Sequence, residues 1–212
     1  MKKENKKFLI FTIGIILFES LTYMLAKITP FNVTLLTSRF DQKLPFIESF
    51  VIFYVLWYLY LILIPYICFK LEKPKFFKYI SVTFISIIIA FFVFFFFPTT
   101  IERESIVLTN SFFSWILKIV YFIDTPILNC LPSMHCTLCF VFMILITRIK
   151  KLKMSYKLFL NITSILIIIS TLLIKQHVIW DVIAALVLVL ISYLIEHITK
   201  LSSKIEKHFN KI

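Results

Sequence analysis

The sequence predicts an all-α, polytopic membrane protein: six transmembrane helices in one bundle, forming a single domain over residues 1–212. Three observations carry this expectation. First, 60% of the 212 residues are hydrophobic and 16% charged, with a mean hydropathy of +0.96. Ordinary globular chains are roughly 45–50% apolar and about 25% charged. A soluble domain of this length keeps too much surface per volume to hide so much apolar material, which argues against a soluble enzyme, a disordered chain or a secreted disulfide scaffold. Second, six segments approach the ~20 apolar residues that a bilayer-crossing helix needs. Third, Lys and Arg alternate from loop to loop.

The elements follow in order. Phe8–Ala26 comes after Lys2, Lys3, Lys6 and Lys7. A basic start before an apolar stretch also suits a signal peptide, but no clear small-x-small cleavage site follows, so a retained helix is expected. Glu19 lies inside this span, to pair within the bundle or to face a polar cavity. A long connection, Lys27–Ser49, leads to the second span, Phe50–Phe69. A short basic connection precedes Phe77–Phe97. The second long connection, Pro98–Ser133, contains the nearly all-apolar Phe112–Phe122, expected to lie flat at the interface or to form part of a lid. Connections of this length are often functional. Met134–Ile149, the shortest span, leads through Arg148, Lys150, Lys151 and Lys153 to Tyr156–Ile174. Val178–Ile195 is the sixth. In the tail, residues 196–212, Ile198, Leu201, Ile205 and Phe209 recur between lysines, which predicts an amphipathic helix on an anionic inner surface.

Six crossings put both termini on one side. That side carries 17 of the 23 Lys and Arg residues and is therefore predicted to be cytoplasmic, in a cell-membrane protein. With the acids included, the inner side holds +13 and the outer side zero, and Glu19 completes the formal +12. In a soluble chain such a charge would suggest nucleic acid. Here it orients the protein, and no nucleic-acid partner is expected.

Chemistry is expected at the outer ends of spans three to six. His177 and Asp181 are spaced i, i+4, which places them on one helix face. An Asp accepting from one ring nitrogen fixes the imidazole tautomer and leaves the other nitrogen free as nucleophile or base. Pro132 and Ser133 suit a helix start, whose first turn leaves backbone N–H groups free to hold an anion. His135 would face that anion, with Arg103 and Lys175 adding charge. Taken singly, each pattern also fits a capped helix with a His near the headgroups. Together they fit metal-free phosphoryl transfer, which needs cations and N–H donors for the phosphate oxygens, a nucleophile, and an acid for the leaving oxygen. No carboxylate cluster suggests a catalytic metal, and no cofactor is expected.

Pro132-Ser133-Met134-His135 resembles the P-S-G-H signature of the type-2 phosphatidic acid phosphatase superfamily. Ser170, Lys175-Gln176-His177 and Asp181 resemble its S-R-x5-H-x3-D signature, and Pro98 to Arg103 its K-x6-R-P signature. Asp41 to Tyr60, with Pro45-Phe46 and Trp57, is similar to the bacterial membrane branch. The resemblance covers roughly residues 41–190 in the family's order. Phe96 stands in place of the first signature's Lys, Glu104 of its Pro, Met134 of Gly, and Thr171 of the third signature's Arg. A similar pattern marks the branch resembling inositol-phosphoceramide and sphingomyelin synthases.

The resemblance implies roles. His177 attacks phosphorus and forms a phosphohistidine. Asp181 orients it. His135 protonates the leaving oxygen, then activates water or an acceptor hydroxyl. Arg103, Lys175 and the backbone near Ser133 hold the phosphate. The implied substrate is a lipid phosphate that enters laterally, its tails remaining in the bilayer. The first expected function is hydrolysis of a lipid phosphate or diphosphate, and the second is transfer of a phospholipid headgroup to an alcohol. From another class, a transporter or a non-catalytic scaffold is the alternative, although one Gly (Gly14) and a single in-span proline (Pro65) give little sign of paired broken helices.

Other residues read more plainly. Cys130, Cys136 and Cys139 lie near His135, but no C-x2-C pair recurs as a structural zinc site requires, and packing is expected. Cys130, on the outer side, is open to oxidation. Asp124 and Asn129 could position the loop or bind a headgroup. His197 and His208 are expected to be solvated, and Trp57, Tyr58, Trp115 and Trp180 to anchor at interfaces or pack.

Overall fold

The computed structural model describes residues 3–103 and 108–211. Among these the chain is helical almost throughout. In order come α1 (Lys3–Ala26), α2 (Arg39–Lys43), a 3-10 turn (Glu48–Phe50), α3 (Val51–Leu71), α4 (Lys73–Phe96), α5 (Phe112–Ile123), α6 (Met134–Arg148), α7 (Met154–Leu173), α8 (Ile179–Thr199) and α9 (Leu201–Lys211). Two strands of two residues, β1 (Thr34–Leu35) and β2 (Thr99–Thr100), pair in parallel and tie the two long connections together.

Among the described residues, five helices are long and apolar enough to cross a membrane: α1, α3, α4, α7 and α8. They match five of the expected spans, but some extend further at their lysine-rich ends. α1 starts at Lys3 rather than Phe8, and α4 at Lys73 rather than Phe77. Lys is a good helix former, its aliphatic stem lies along apolar surface, and Pro74 suits a first helical turn.

The fourth expected span forms α6, whose 15 residues reach about 22 Å at 1.5 Å per residue. That is short of the ~30 Å hydrocarbon core. Position explains the length. α6 packs against α3, α4, α7 and α8, and no residue from Met134 to Ile146 is exposed. A helix sheathed in other helices does not have to match the hydrocarbon itself. α1, by contrast, lies at the periphery against α4 and α3.

One end of the bundle is basic. There Lys73 pairs with Glu4 at 2.6 Å, Lys78 with the buried Glu196, and Glu72 accepts the N–H groups of Lys150 and Lys151. α9 folds back onto this end against α4. Phe209 is 2% exposed and packs on Phe11, Phe69 and Phe77, and Lys7 Nζ donates to its carbonyl at 2.7 Å. The apolar stripe expected to face lipid therefore faces protein in its second half, while Lys204, Lys207 and Lys211 are exposed.

At the opposite end the long connections are fastened by caps. Ser38 and Asp41 form a capping box that starts α2. Ser111 caps α5, and the Glu48 carboxylate accepts from Thr109, Ser111 and Ser114 at 2.6–3.0 Å. The segment expected at an interface or in a lid is thus a helix, α5. Leu117 and Val120 on its inner face pack with Tyr54, while Phe112, Trp115 and Phe122 are exposed.

Candidate active site

His177 is set by the turn between α7 and α8. The Thr171 carbonyl at the end of α7 accepts the N–H groups of Gln176 (2.9 Å) and His177 (3.0 Å). Lys175 takes a left-handed conformation (φ 53°), which costs a non-glycine residue about 1–2 kcal/mol. Its ammonium offsets this by donating to the Asp41 and Leu44 carbonyls, each at 2.7 Å. α8 then starts under two carboxylates. Asp181 Oδ2 accepts the Val178 N–H at 3.0 Å, and Asp41 Oδ1 accepts the Ile179 N–H at 2.9 Å.

Asp181 is fully buried, and its Oδ2 lies 2.9 Å from His177 Nδ1. With a carboxylate accepting there, Nδ1 carries the hydrogen and Nε2 presents its lone pair. The i, i+4 spacing thus yields the expected contact. His135, in the first turn of α6, faces it, with the two ring centroids 5.9 Å apart. Its ring lies against Trp57 at 4.1 Å and Tyr54 at 4.5 Å, and its buried Nε2 has no hydrogen-bond partner among the described residues. Two imidazoles, one in the first turn of α6 and one in the turn before α8, therefore flank one space, one oriented by a carboxylate and one held between aromatic rings.

The expected phosphate-binding residues divide. Arg103 is bonded to Lys175 and Gln176, just before His177. Its NH2 donates to Asp124 at 2.7 Å and Gln176 at 2.6 Å, its Nε to the Lys175 carbonyl at 3.2 Å, and its guanidinium covers the Tyr121 ring at 4.2 Å. Burial pushes the Tyr121 hydroxyl up to about 12, against the pull of the Arg103 charge. It stays protonated and donates to the Ile174 carbonyl at 2.6 Å. Lys175 is adjacent to Gln176 and His177, but its ammonium turns toward α2. Ser133 is fully buried, and its Oγ caps α6 by accepting from Cys136. Its N–H donates to the Asp181 carbonyl at 3.2 Å, joining the starts of α6 and α8. The donors left at this terminus are those of the first turn, Met134 and His135.

Among the residues that depart from the family signatures, Thr171 holds the turn through its carbonyl and Met134 lines the site cavity. Phe96 is 48% exposed and stacks on Phe92. Glu104 lies outside the described residues.

The two His residues open onto a cavity of about 720 Å³, within the range of ligand sites. Its walls include Glu19, expected either to pair within the bundle or to face a polar cavity, and other residues for which no role here was expected. Tyr54, Trp57 and Tyr58 come from α3, at i, i+3, i+4, a spacing that marks one aromatic helix face. Glu19, Tyr23 and Lys27 come from α1, at i, i+4, i+8. α1 is anchored at this end, where Tyr23 donates to Asp124 at 3.0 Å, Lys27 to the Pro126 carbonyl at 3.1 Å, and Asn129 Nδ2 to the Tyr23 carbonyl at 2.9 Å. Asp124 and Asn129 thus fasten the loop. Trp115 also lines the cavity.

All four cysteines are free and buried. Burial, then the charges of Asp181 and Asp124, pushes the Cys130 thiol up. At 3% exposure it is shielded rather than open to oxidation as expected from its side of the chain. Among the described residues no three His, Cys, Asp or Glu gather where they could hold a metal ion. The chain matches no family model, no curated protein and no solved structure.

Proposed function

We propose that this chain is an integral-membrane lipid phosphate phosphatase, working without a metal through a phosphohistidine at the outer face of the cell membrane. The observation that carries the reading is the buried Asp181 bonded to His177 Nδ1 at 2.9 Å, with His135 facing that ring at 5.9 Å. The signature resemblance to the type-2 phosphatidic acid phosphatase superfamily supports it.

His177 Nε2 attacks phosphorus while the P–O bond to the lipid alcohol breaks. His135 gives its proton to the departing oxygen. His135 then takes a proton from water, whose oxygen attacks the phosphohistidine, and phosphate leaves with His177 restored. Asp181 stabilises the positive charge that develops on His177. The Arg103 guanidinium and the first-turn N–H groups of α6 bind the phosphate oxygens.

A sixth crossing is supported by α6. It runs from Ser133, bonded to Asp181 at the site end, to a loop whose Lys150 and Lys151 N–H groups meet Glu72 at the basic end. The lysine distribution then assigns the basic end to the cytoplasm.

The test is phosphate release from a panel of lipid phosphates, with EDTA present. Release should persist in EDTA and vanish in His177→Ala and His135→Ala protein that still elutes as a folded species in detergent. Unchanged release by His177→Ala would exclude the mechanism.

A second reading, headgroup transfer to an alcohol, is favoured by the cavity, which is large enough for a headgroup and an acceptor, and by the turn of the Lys175 ammonium away from it. Labelled phospholipid incubated with acceptor alcohols separates the two, because a new phosphodiester marks transfer and free phosphate marks hydrolysis.

A further inference from the structure

The site cavity extends beyond the two imidazoles to a carboxyl group that the proposed mechanism does not use. Glu19 sits in the middle of α1 and lines the cavity together with His135 and His177. Its neighbours Ser20 and Thr22 turn their hydroxyls onto carbonyls of α1, and no donor among the described residues reaches the Glu19 carboxyl. The other charges of the wall are engaged. Asp124 is paired with Arg103, and Lys27 is bonded to the Pro126 carbonyl and lies over the Tyr23 ring. An ionisable group within a membrane span is costly and characteristically faces a pathway for substrate or ions. Glu19 is the one carboxyl of this wall without a partner among the described residues.

Its place also gives a direction. Glu19 and Met134 together line a small second pocket against Phe94, and Met134 immediately precedes His135. Glu19 therefore lies on the His135 side of the cavity. On the phosphatase reading, on which this inference rests, His135 protonates the departing oxygen, so the lipid alcohol occupies that side. Trp57 and Tyr58 supply aromatic walls there, suited to an aliphatic chain or to an ammonium group.

We propose that Glu19 is a specificity-determining residue that accepts a hydrogen bond from a hydroxyl or ammonium group on the alcohol portion of the lipid phosphate. The preferred substrate class is then a lipid phosphate bearing such a donor near the phosphoester, rather than a plain alkyl phosphate or an isoprenoid phosphate.

The test uses binding, which is independent of turnover. The full chain in detergent is titrated with hexadecylphosphonate, 3-hydroxyhexadecylphosphonate and 3-aminohexadecylphosphonate, and tryptophan fluorescence is read, since Trp57 and Trp115 line the cavity. At least one donor-bearing lipid should bind about tenfold more tightly than the plain one, the equivalent of one hydrogen bond. Glu19→Leu should bring that ratio to about one. Glu19→Gln, which keeps the side-chain shape and an acceptor oxygen, should retain a preference for the hydroxyl and lose one for the amine. Equal affinities in the wild type, or a preference that survives Glu19→Leu, would overturn the role of Glu19. If those affinities are equal while phosphate release is intact, the phosphatase reading stands alone. If none of the three lipids binds, the lipid-phosphate reading falls and this inference with it.

Discussion

At Asp181 one side chain serves both the fold and the site. Its Oδ2 accepts from His177 Nδ1 and from the Val178 N–H, and its own carbonyl accepts from Ser133. These roles can be separated. Asp181→Asn retains an oxygen for the helix start but removes the charge that stabilises a protonated His177 and fixes its tautomer. Phosphate release should fall by about three to four orders of magnitude, while thermal unfolding moves little. A variant that keeps its rate would remove Asp181 from the mechanism. The His177–Asp181 contact was legible because its spacing is local, although His177 lies in the turn before α8 and the contact forms across the helix start rather than along a helix face. The surroundings of Arg103 were not. Its partners Asp124 and Gln176 lie 21 and 73 positions away, and only the folded loops bring them together. Lys175 shows the same limit. Its type and position suggested a phosphate-binding cation, but the left-handed turn and two distant carbonyls send its ammonium to α2.

Among the α-helices of the described residues, the shortest has an outsized part. α2 has five residues, yet Asp41 closes its capping box and also caps α8 through Ile179. Asp41→Ala removes acceptors from both. One lost helix cap costs about 1 kcal/mol, up to ~2, so the melting temperature should drop by a few degrees. Phosphate release should fall with it, because the turn carrying His177 loses its support. A melting temperature equal to wild type would show that the start of α8 does not depend on α2. The long helices were legible because about 20 apolar residues leave few alternatives. α2 was not, since a five-residue segment with four polar residues acquires a helix only through caps. On α1 Glu19 was legible as a group that pairs in the bundle or faces a polar cavity, but Tyr23 and Lys27 beside it on the cavity wall were not, because a lone i, i+4 series does not say what it faces.

For the molecule as a whole, the number of crossings decides where the termini lie. Six crossings place both on one side, and five place them on opposite sides. Single cysteines introduced near residue 5 and residue 207, in a chain whose four native cysteines are replaced, should respond alike to an impermeant thiol reagent in sealed vesicles. A cysteine introduced at Phe122 on α5, which is 82% exposed, should respond oppositely. Opposite responses from the two termini would require α6 to re-enter rather than cross.

The central position of α6 has a consequence for the surrounding lipid. Helices at the rim of a membrane protein must accommodate a change in bilayer thickness by tilting, or else deform the lipid around them. α6 is wrapped by four neighbours and is insulated from that adjustment, and its cap at Ser133 is bonded to the start of α8. His135 therefore rides on the interior of the bundle, and the Ser133–Asp181 bond ties it to the start of α8, where Asp181 holds His177. In vesicles of phosphatidylcholines with progressively longer acyl chains, the spacing of His135 and His177 should hold while the outer helices reorient. On the phosphatase reading, thickness would then act chiefly through peripheral α1, altering how readily lipid gains entry rather than the chemical step itself.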